Sequence, residues 1–165
     1  MLLDADSALR HLDRLTSAAI ALCGNRADAE DLVQETVLTL LRRPRPLRGT
    51  SELAYLMTML RNRHIDARRA AARRQTGPSA FELEELPDPR AGLQPHRAVE
   101  DGEVIGAVHA LESPFRETVV AVDVLGLSYK EAAGALDVPV GTVMSRLARG
   151  RDRVIRALEP AAVCA

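Results

Sequence analysis

Asn62 and Asp66 stand one helical turn apart in a stretch that also holds Arg61, Arg63, Arg68, Arg69, Arg73 and Arg74. Neither Asn nor Asp favours a helix interior. An amide and a carboxylate at this spacing suit the edges of unstacked bases, with guanidiniums such as Arg63, Arg68, Arg73 and Arg74 to hold phosphates. A second basic block follows "SYKEAAGALDVPVGTV": Met144–Arg156 carries Arg146, Arg149, Arg151, Arg153 and Arg156 against Asp152 alone. At about 100° per residue, Thr142, Ser145, Arg146, Arg149 and Arg153 fall on one helical face, turned away from Val143, Leu147 and Val154. Arg bridges guanine O6 and N7, and Ser or Thr bonds bases or phosphate. For either block the plain alternative is a solvated surface helix. Two such blocks on one chain favour a polyanionic partner.

A third set has the opposite sign. Asp31, Gln34, Glu35 and Leu38 share one helical face, an acidic surface with an exposed leucine that would suit a basic partner, although single exposed apolar residues are ordinary. No catalytic set stands out. His11, His64, His96 and His109 are scattered, without a Ser, Cys or paired carboxylate at motif spacing. Cys23 and Cys164 lie far apart, outside any CxxC pattern. The expectation is a binding protein without metal, cofactor, disulfide or catalytic centre.

The elements that must position these residues are helices. Apolar spacing is near 3.6 throughout, and no segment reads convincingly as a strand. A first helix is predicted from about Ser7 to Cys23, with Leu9, Leu12, Leu15, Ala19 and Leu22 on its stripe. "GNRADAEDLVQETVLTLLRR" gives a second, with Ala29, Leu32, Val33, Thr36, Val37 and Leu40 inward, broken by Pro44 and Pro46. A third runs from near Thr50 towards Arg74, with Leu53, Leu56, Met57, Leu60, His64 and Ala67 inward and Tyr55, Met59, Asn62, Asp66 and Arg69 opposite. From Gln75 to about Arg97 periodicity collapses into "TGPSAFELEELPDPRAGLQP", a linker too long for the inside of one compact domain.

Beyond it, Val104, Ile105, Val108 and Leu111 mark a helix. Ser113-Pro114 reads as N-cap and first helical residue, and Gly126 as a left-handed terminator. Ser128 and Glu131 form a capping box on a short helix ending near Leu136. After "DVPVG" comes the last helix, with Val143, Leu147, Val154 and Leu158 inward. A capped short helix, a tight turn and a basic helix make a helix-turn-helix, whose second helix enters the DNA major groove. The predicted fold is all-α: two small helical domains joined by a flexible acidic linker, the second containing the helix-turn-helix. Their bounds are 1–74, linker 75–98, 99–160 and a tail 161–165.

Composition agrees. The chain has 165 residues, a net charge of −1, no Trp and 2% aromatics, so its core is aliphatic and its charge balance conceals local blocks of both signs. No signal peptide opens it and no apolar run nears the roughly 20 residues of a membrane span. A reduced, cytoplasmic setting without membrane insertion is expected.

In this order the pieces resemble a bacterial RNA polymerase sigma factor of the extracytoplasmic-function (ECF) group of the sigma-70 family, over about residues 7 to 158. "DAEDLVQETV" resembles the segment that docks on the clamp helices of the polymerase largest subunit. "LRNRHIDARR" resembles the segment that recognises the promoter minus-ten element, and "LSYKEAAGALDVPVGTVMSRLARGR" the helix-turn-helix for the minus-thirty-five element. The resemblance implies an initiation factor with core RNA polymerase and promoter DNA, both duplex and melted non-template strand, as partners, and admits an anti-sigma factor. It implies that Asp31, Gln34, Glu35 and Leu38 meet polymerase. It implies that Asn62 and Asp66, with the Arg48-Gly49-Thr50 loop and the basic Arg61, Arg63 and Arg69, take the melted strand. Thr142, Met144, Ser145, Arg146, Arg149 and Arg151 would lie on the upstream duplex. The linker acids Glu82, Glu84, Glu85 and Asp88 would mimic RNA phosphates in the polymerase exit channel, or form only a solvated tether.

The chain departs from the family pattern in several places. Val37, Leu41 and Tyr55 stand at positions usually aromatic, Met144 where a basic residue is usual, Asp137 where Gly is usual, and "RPRP" alters the loop before the third helix. Asp tolerates left-handed backbone. Two competing readings are a decoy that sequesters an anti-sigma factor and an ordinary helix-turn-helix regulator. A decoy needs no base-reading face, and a regulator leaves the first half unexplained and usually dimerises on palindromic half-sites.

Overall fold

A computed structural model describes residues 2–47, 49–75 and 97–159. The linker acids, Arg48 and the 161–165 tail lie outside the described residues. Eight α-helices account for most of what is described: α1 (Ala5–Arg10), α2 (Leu12–Cys23), α3 (Arg26–Arg42), α4 (Glu52–Gln75), α5 (Arg97–His109), α6 (Ser113–Val119), α7 (Tyr129–Leu136) and α8 (Val140–Leu158). One small departure from the all-helical expectation is a two-residue antiparallel pair, β1 (Leu2–Leu3) with β2 (Arg45–Pro46), in the register Leu2 to Pro46.

Cap chemistry sets several helix ends. The Asp4 carboxylate accepts the Ser7 amide at 2.9 Å and opens α1. The Asn25 side chain accepts the Asp28 amide at 2.9 Å and opens α3. Each satisfies a donor that the first turn leaves unpaired. Gly24 ends α2 in the left-handed region, with φ +84°.

The predicted first helix is in fact two. His11 ends α1 and begins α2, with φ −110° and ψ 13°. The break is held from a distance: Glu52, in the first turn of α4, takes Arg10 Nη2 at 3.0 Å and lies 3.1 Å from His11 Nε2. The two helical phases no longer form one stripe, so Leu9 and Leu12 are 52% and 38% exposed, against expectation, while Leu15, Ala19 and Leu22 are buried. The α3 stripe lies inward as expected, with Val37 half-buried. On α4, Leu56, Met57 and Leu60 are buried, but Ala67 is exposed.

The second half departs at two ends. Ser113 is not the N-cap of α6; Glu112 is, because the Ser113 hydroxyl donates instead to the Glu117 carboxylate one turn on, at 2.8 Å. Beyond α6 the chain continues as a π-helical turn over Val120–Val124. Gly126 follows in the left-handed region, as expected. At the far end Leu158 is 38% exposed, because the last turn of α8 runs past the helices that bury Val143 and Leu147.

The halves on either side of the linker pack against each other, chiefly through α2 on α5 and the π-turn, and α4 on α7. Buried apolar residues of both halves belong to one cluster, and polar contacts gather at the C-terminus of α2, whose last turn has no basic residue of its own. Arg116 Nη1 donates to the Leu22 carbonyl at 3.1 Å, and His109 Nδ1 lies 3.3 Å from the Ala21 carbonyl. Both carbonyls lie at a helix end, where acceptors and negative dipole charge await partners. The His109 ring fills the space beside Gly24 so closely that a Cβ there would lie 2.3 Å from His109 Nε2. Thr58 Oγ1 donates to the Ala135 carbonyl at 3.4 Å, and Arg61 Nε to Glu117 Oε2 at 2.6 Å.

Candidate nucleic-acid interface

The α7–turn–α8 unit carries one candidate face. Ser128 and Glu131 form the expected capping box: the Ser128 amide donates to Glu131 Oε2 at 2.8 Å, and the Ser128 hydroxyl accepts the Glu131 amide at 3.3 Å. Asp137 closes α7 with φ 55° and ψ 50°, the left-handed geometry that the usual Gly would take. Pro139 then precedes α8 as its N-cap.

Buried Val143 and Leu147 seat α8 in this unit. Gly150 lets it approach α6 so closely that a Cβ would meet Val119 Cγ2 at 2.7 Å. Most of its guanidiniums serve the fold. Arg151 makes a two-pronged bond to Asp123 of the π-turn, at 3.0 and 2.6 Å. Arg153 lies 4.1 Å above the Phe115 ring, and Arg156 pairs with Asp152 at 3.0 Å. Arg146 is half-buried and lines a cleft of about 410 Å³ shared with Arg61 and Glu117. Arg149 is exposed and has no hydrogen bond or ion pair among the described residues. Val140, Gly141, Met144, Ser145 and Ala148 are also exposed, while Thr142 is half-buried.

On α4, Asn62, Asp66 and Arg69 form an exposed row, and Gly49 and Thr50 of the preceding loop are also exposed. The neighbouring cations are engaged: Arg61 with Glu117, and Arg63 with Glu35 at 2.8 Å and with the Thr39 hydroxyl. Tyr55 and Met59, expected on the open side of α4, are half-buried and packed onto the core. On α3 the expected acidic face is present: Asp31, Gln34, Glu35 and Leu38 are all exposed, Leu38 by 47% and nearby Leu41 by 61%.

Between the halves lies a cleft of about 550 Å³, lined among others by Cys23, His64, His109 and Arg116. Burial, and then the charge of Asp28, push the Cys23 thiol up to about 11, so the sulfur remains protonated and is a poor nucleophile. Burial, and then Arg68 and Arg116, hold the His64 imidazole below its usual value. Among the described residues no His, Cys, Asp and Glu cluster could hold a metal ion, and no helix is long and apolar enough to cross a membrane. The sequence reading missed Glu117, His109 and Arg116, the partners that join the halves. Their contacts span 56 to 94 residues, and nothing local marks them.

Two small helical units, one with a helix-turn-helix and one with an exposed Asn62, Asp66 and Arg69 row beside an exposed acidic face on α3, have the architecture of a sigma-type transcription initiation factor. Residues 8–74 match the sigma-70 region 2 family model, and residues 102–154 match sigma-70 region 4. The ECF RNA polymerase sigma factor SigE of Mycolicibacterium smegmatis is 33% identical over 147 residues, covering 88% of this chain and 57% of that protein. The ECF RNA polymerase sigma factor EcfG of Rhodopseudomonas palustris is 34% identical over 153 residues, with 90% and 81% covered. Among solved structures, the sigma factor RpoE of Bartonella quintana, crystallised with the anti-sigma factor NepR, superposes with a TM-score of 0.71 at 26% identity, over 93% of this chain and 94% of that one. The chain belongs to the ECF group of RNA polymerase sigma factors, the promoter-directing subunits of bacterial transcription.

Proposed function

We propose that this sigma factor divides its work among three faces. The outer face of α8 enters the major groove of the upstream promoter element. The Asn62, Asp66 and Arg69 row of α4, with the Gly49 and Thr50 loop, captures the melted non-template strand. The Asp31, Gln34, Glu35 and Leu38 face of α3 meets core polymerase. The observation that carries this reading is the exposure of two base-reading rows of different chemistry on one chain. One suits duplex edges and the other suits unstacked bases. Unstacking costs a few kcal/mol per step, so a row that holds extruded bases favours the open complex.

Arg63 reaches phosphate once its exposed pair with Glu35 exchanges partners, whereas Arg61, paired with buried Glu117 across the halves, acts through the fold. Arg151 acts through the fold, holding α8 to the π-turn. Residues 75–98 tether the two working halves, 1–74 and 99–160. Bond making belongs to polymerase, and the setting is the bacterial cytoplasm. An anti-sigma protein is a further partner; the Bartonella quintana relative was crystallised with one.

Run-off transcription with purified core polymerase tests the reading. The expected outcome is a defined transcript, dependent on this chain, from a subset of genomic promoters. A chain that binds core and an anti-sigma factor but yields no transcript from any fragment would be a decoy, and the initiation reading would fall.

A further inference from the structure

The face that α8 turns outward over its first three turns is mostly apolar. Val140 is 41% and Met144 52% exposed, and a spacing of four residues sets them on one side of the helix. Gly141 and Ala148 are exposed with them. Of the two polar residues there, Ser145 gives its hydroxyl proton to the Thr142 carbonyl at 3.1 Å, which leaves Arg149 as the exposed cation without a partner.

A thioether and an isopropyl group offer nothing to a hydrogen-bonding edge. Pressed against guanine O6 or N7, or against a cytosine or adenine amino group, they would desolvate it without compensation. In the major groove the apolar feature is the thymine C5-methyl. Methionine suits it, because an unbranched, polarisable chain follows an irregular apolar surface. Four residues of helix span about 6 Å, against roughly 3.4 Å between base pairs, so the two side chains reach neighbouring or next-but-one pairs.

We propose that Val140 and Met144 read thymine methyl groups at two closely spaced positions of the upstream element, beside a guanine read by Arg149. The proposal rests on the reading of α8 as the duplex reader and specifies what that helix selects. The basic residue usual at position 144 would prefer an acceptor; methionine exchanges that preference for a methyl group.

Deoxyuridine supplies the test, since it pairs as thymine does and lacks only the methyl. The best duplex selected by the full chain from a randomised library is resynthesised with each thymine replaced in turn by deoxyuridine, and affinities are compared by fluorescence anisotropy. One or two replacements should weaken binding about fourfold each, the change that corresponds to about 0.8 kcal/mol per buried methyl-sized group. Met144→Ala should bind more weakly and lose the thymine-over-uracil preference at one of those positions. Arg149→Ala should keep that preference while losing discrimination at a guanine. Tight, selective binding that ignores every thymine methyl overturns the proposal but leaves α8 as the reader; so does an unchanged preference in Met144→Ala. If no duplex is selected at all, the reader assignment fails, and the proposal with it.

Discussion

A charged side chain already paired within the fold is a weaker candidate for an external contact than its charge suggests. Arg151 and Arg153 illustrate this on α8, one on Asp123 of the π-turn and the other on the Phe115 ring. Glu35 differs: it pairs with Arg63 at 2.8 Å, yet its side chain is 63% exposed. An exposed pair contributes only about 0.2–1 kcal/mol, so the carboxylate is free to exchange partners at little cost. Glu35→Lys should therefore weaken holoenzyme formation by at least tenfold in a competition with wild-type chain for core polymerase. Its urea unfolding should stay within about 1 kcal/mol of wild type. A variant that competes equally well would remove Glu35 from the docking face. At this scale the sequence showed which residue types were present but not which were already engaged. Asn62, Asp66 and Arg149 read as exposed from helical phase alone, and they are. The engagement of Arg61 depends on Glu117, 56 residues away, and no local pattern carries that.

Only some of the helix ends that adjacent residues make were legible; the Asp4 and Asn25 caps went unread, and Ser113 was misread because its hydroxyl turns to Glu117. Ser128 with Glu131 and the positive-φ Gly126 all followed from adjacent residues. Ser128→Ala removes one acceptor and breaks a reciprocal pair, and should cost about 1 kcal/mol. A lower urea midpoint with an unchanged slope is the expected signature. An unshifted midpoint would mean that packing alone holds the helix-turn-helix. Breaks imposed from afar were not legible. The break at His11 is tied to Glu52 on another helix, and Leu9 and Leu12 lie outward from a stripe that looked continuous. The π-turn is similar. Its residues read as ordinary helix, and Asp123 within it secures Arg151 of α8.

At the scale of the molecule, the two helical units that the long linker marks off are present, and their buried apolar residues meet in one continuous cluster. Linker composition reports how the chain is tethered and says nothing about whether the tethered parts touch. The cleft at their contact is lined by half-buried His64, whose imidazole is held down by burial, then by Arg68 and Arg116. The unfolded chain thus takes up this proton first. Above the ordinary histidine value near 6.5 both states are neutral and His64 contributes nothing. As pH falls below it the unfolded state binds more protons, and stability declines. Lowering pH from 7 to 5 should depress the melting temperature more in wild type than in His64→Gln. Equal losses in the two proteins would show that this histidine is not linked to folding.

The end of α2 bears on how such a protein can be recombined. The carbonyls of Ala21 and Leu22 find their donors on His109 and Arg116, beyond the linker, and Gly24 leaves room for the imidazole. The N-terminal half is therefore finished by the C-terminal one, like a seam sewn from the other side. A hybrid that joins residues 1–75 to a foreign promoter-reading half inherits a frayed helix unless the graft brings a ring and a guanidinium to the same places. Compatibility between halves is thus written partly in residues that need never touch DNA or polymerase.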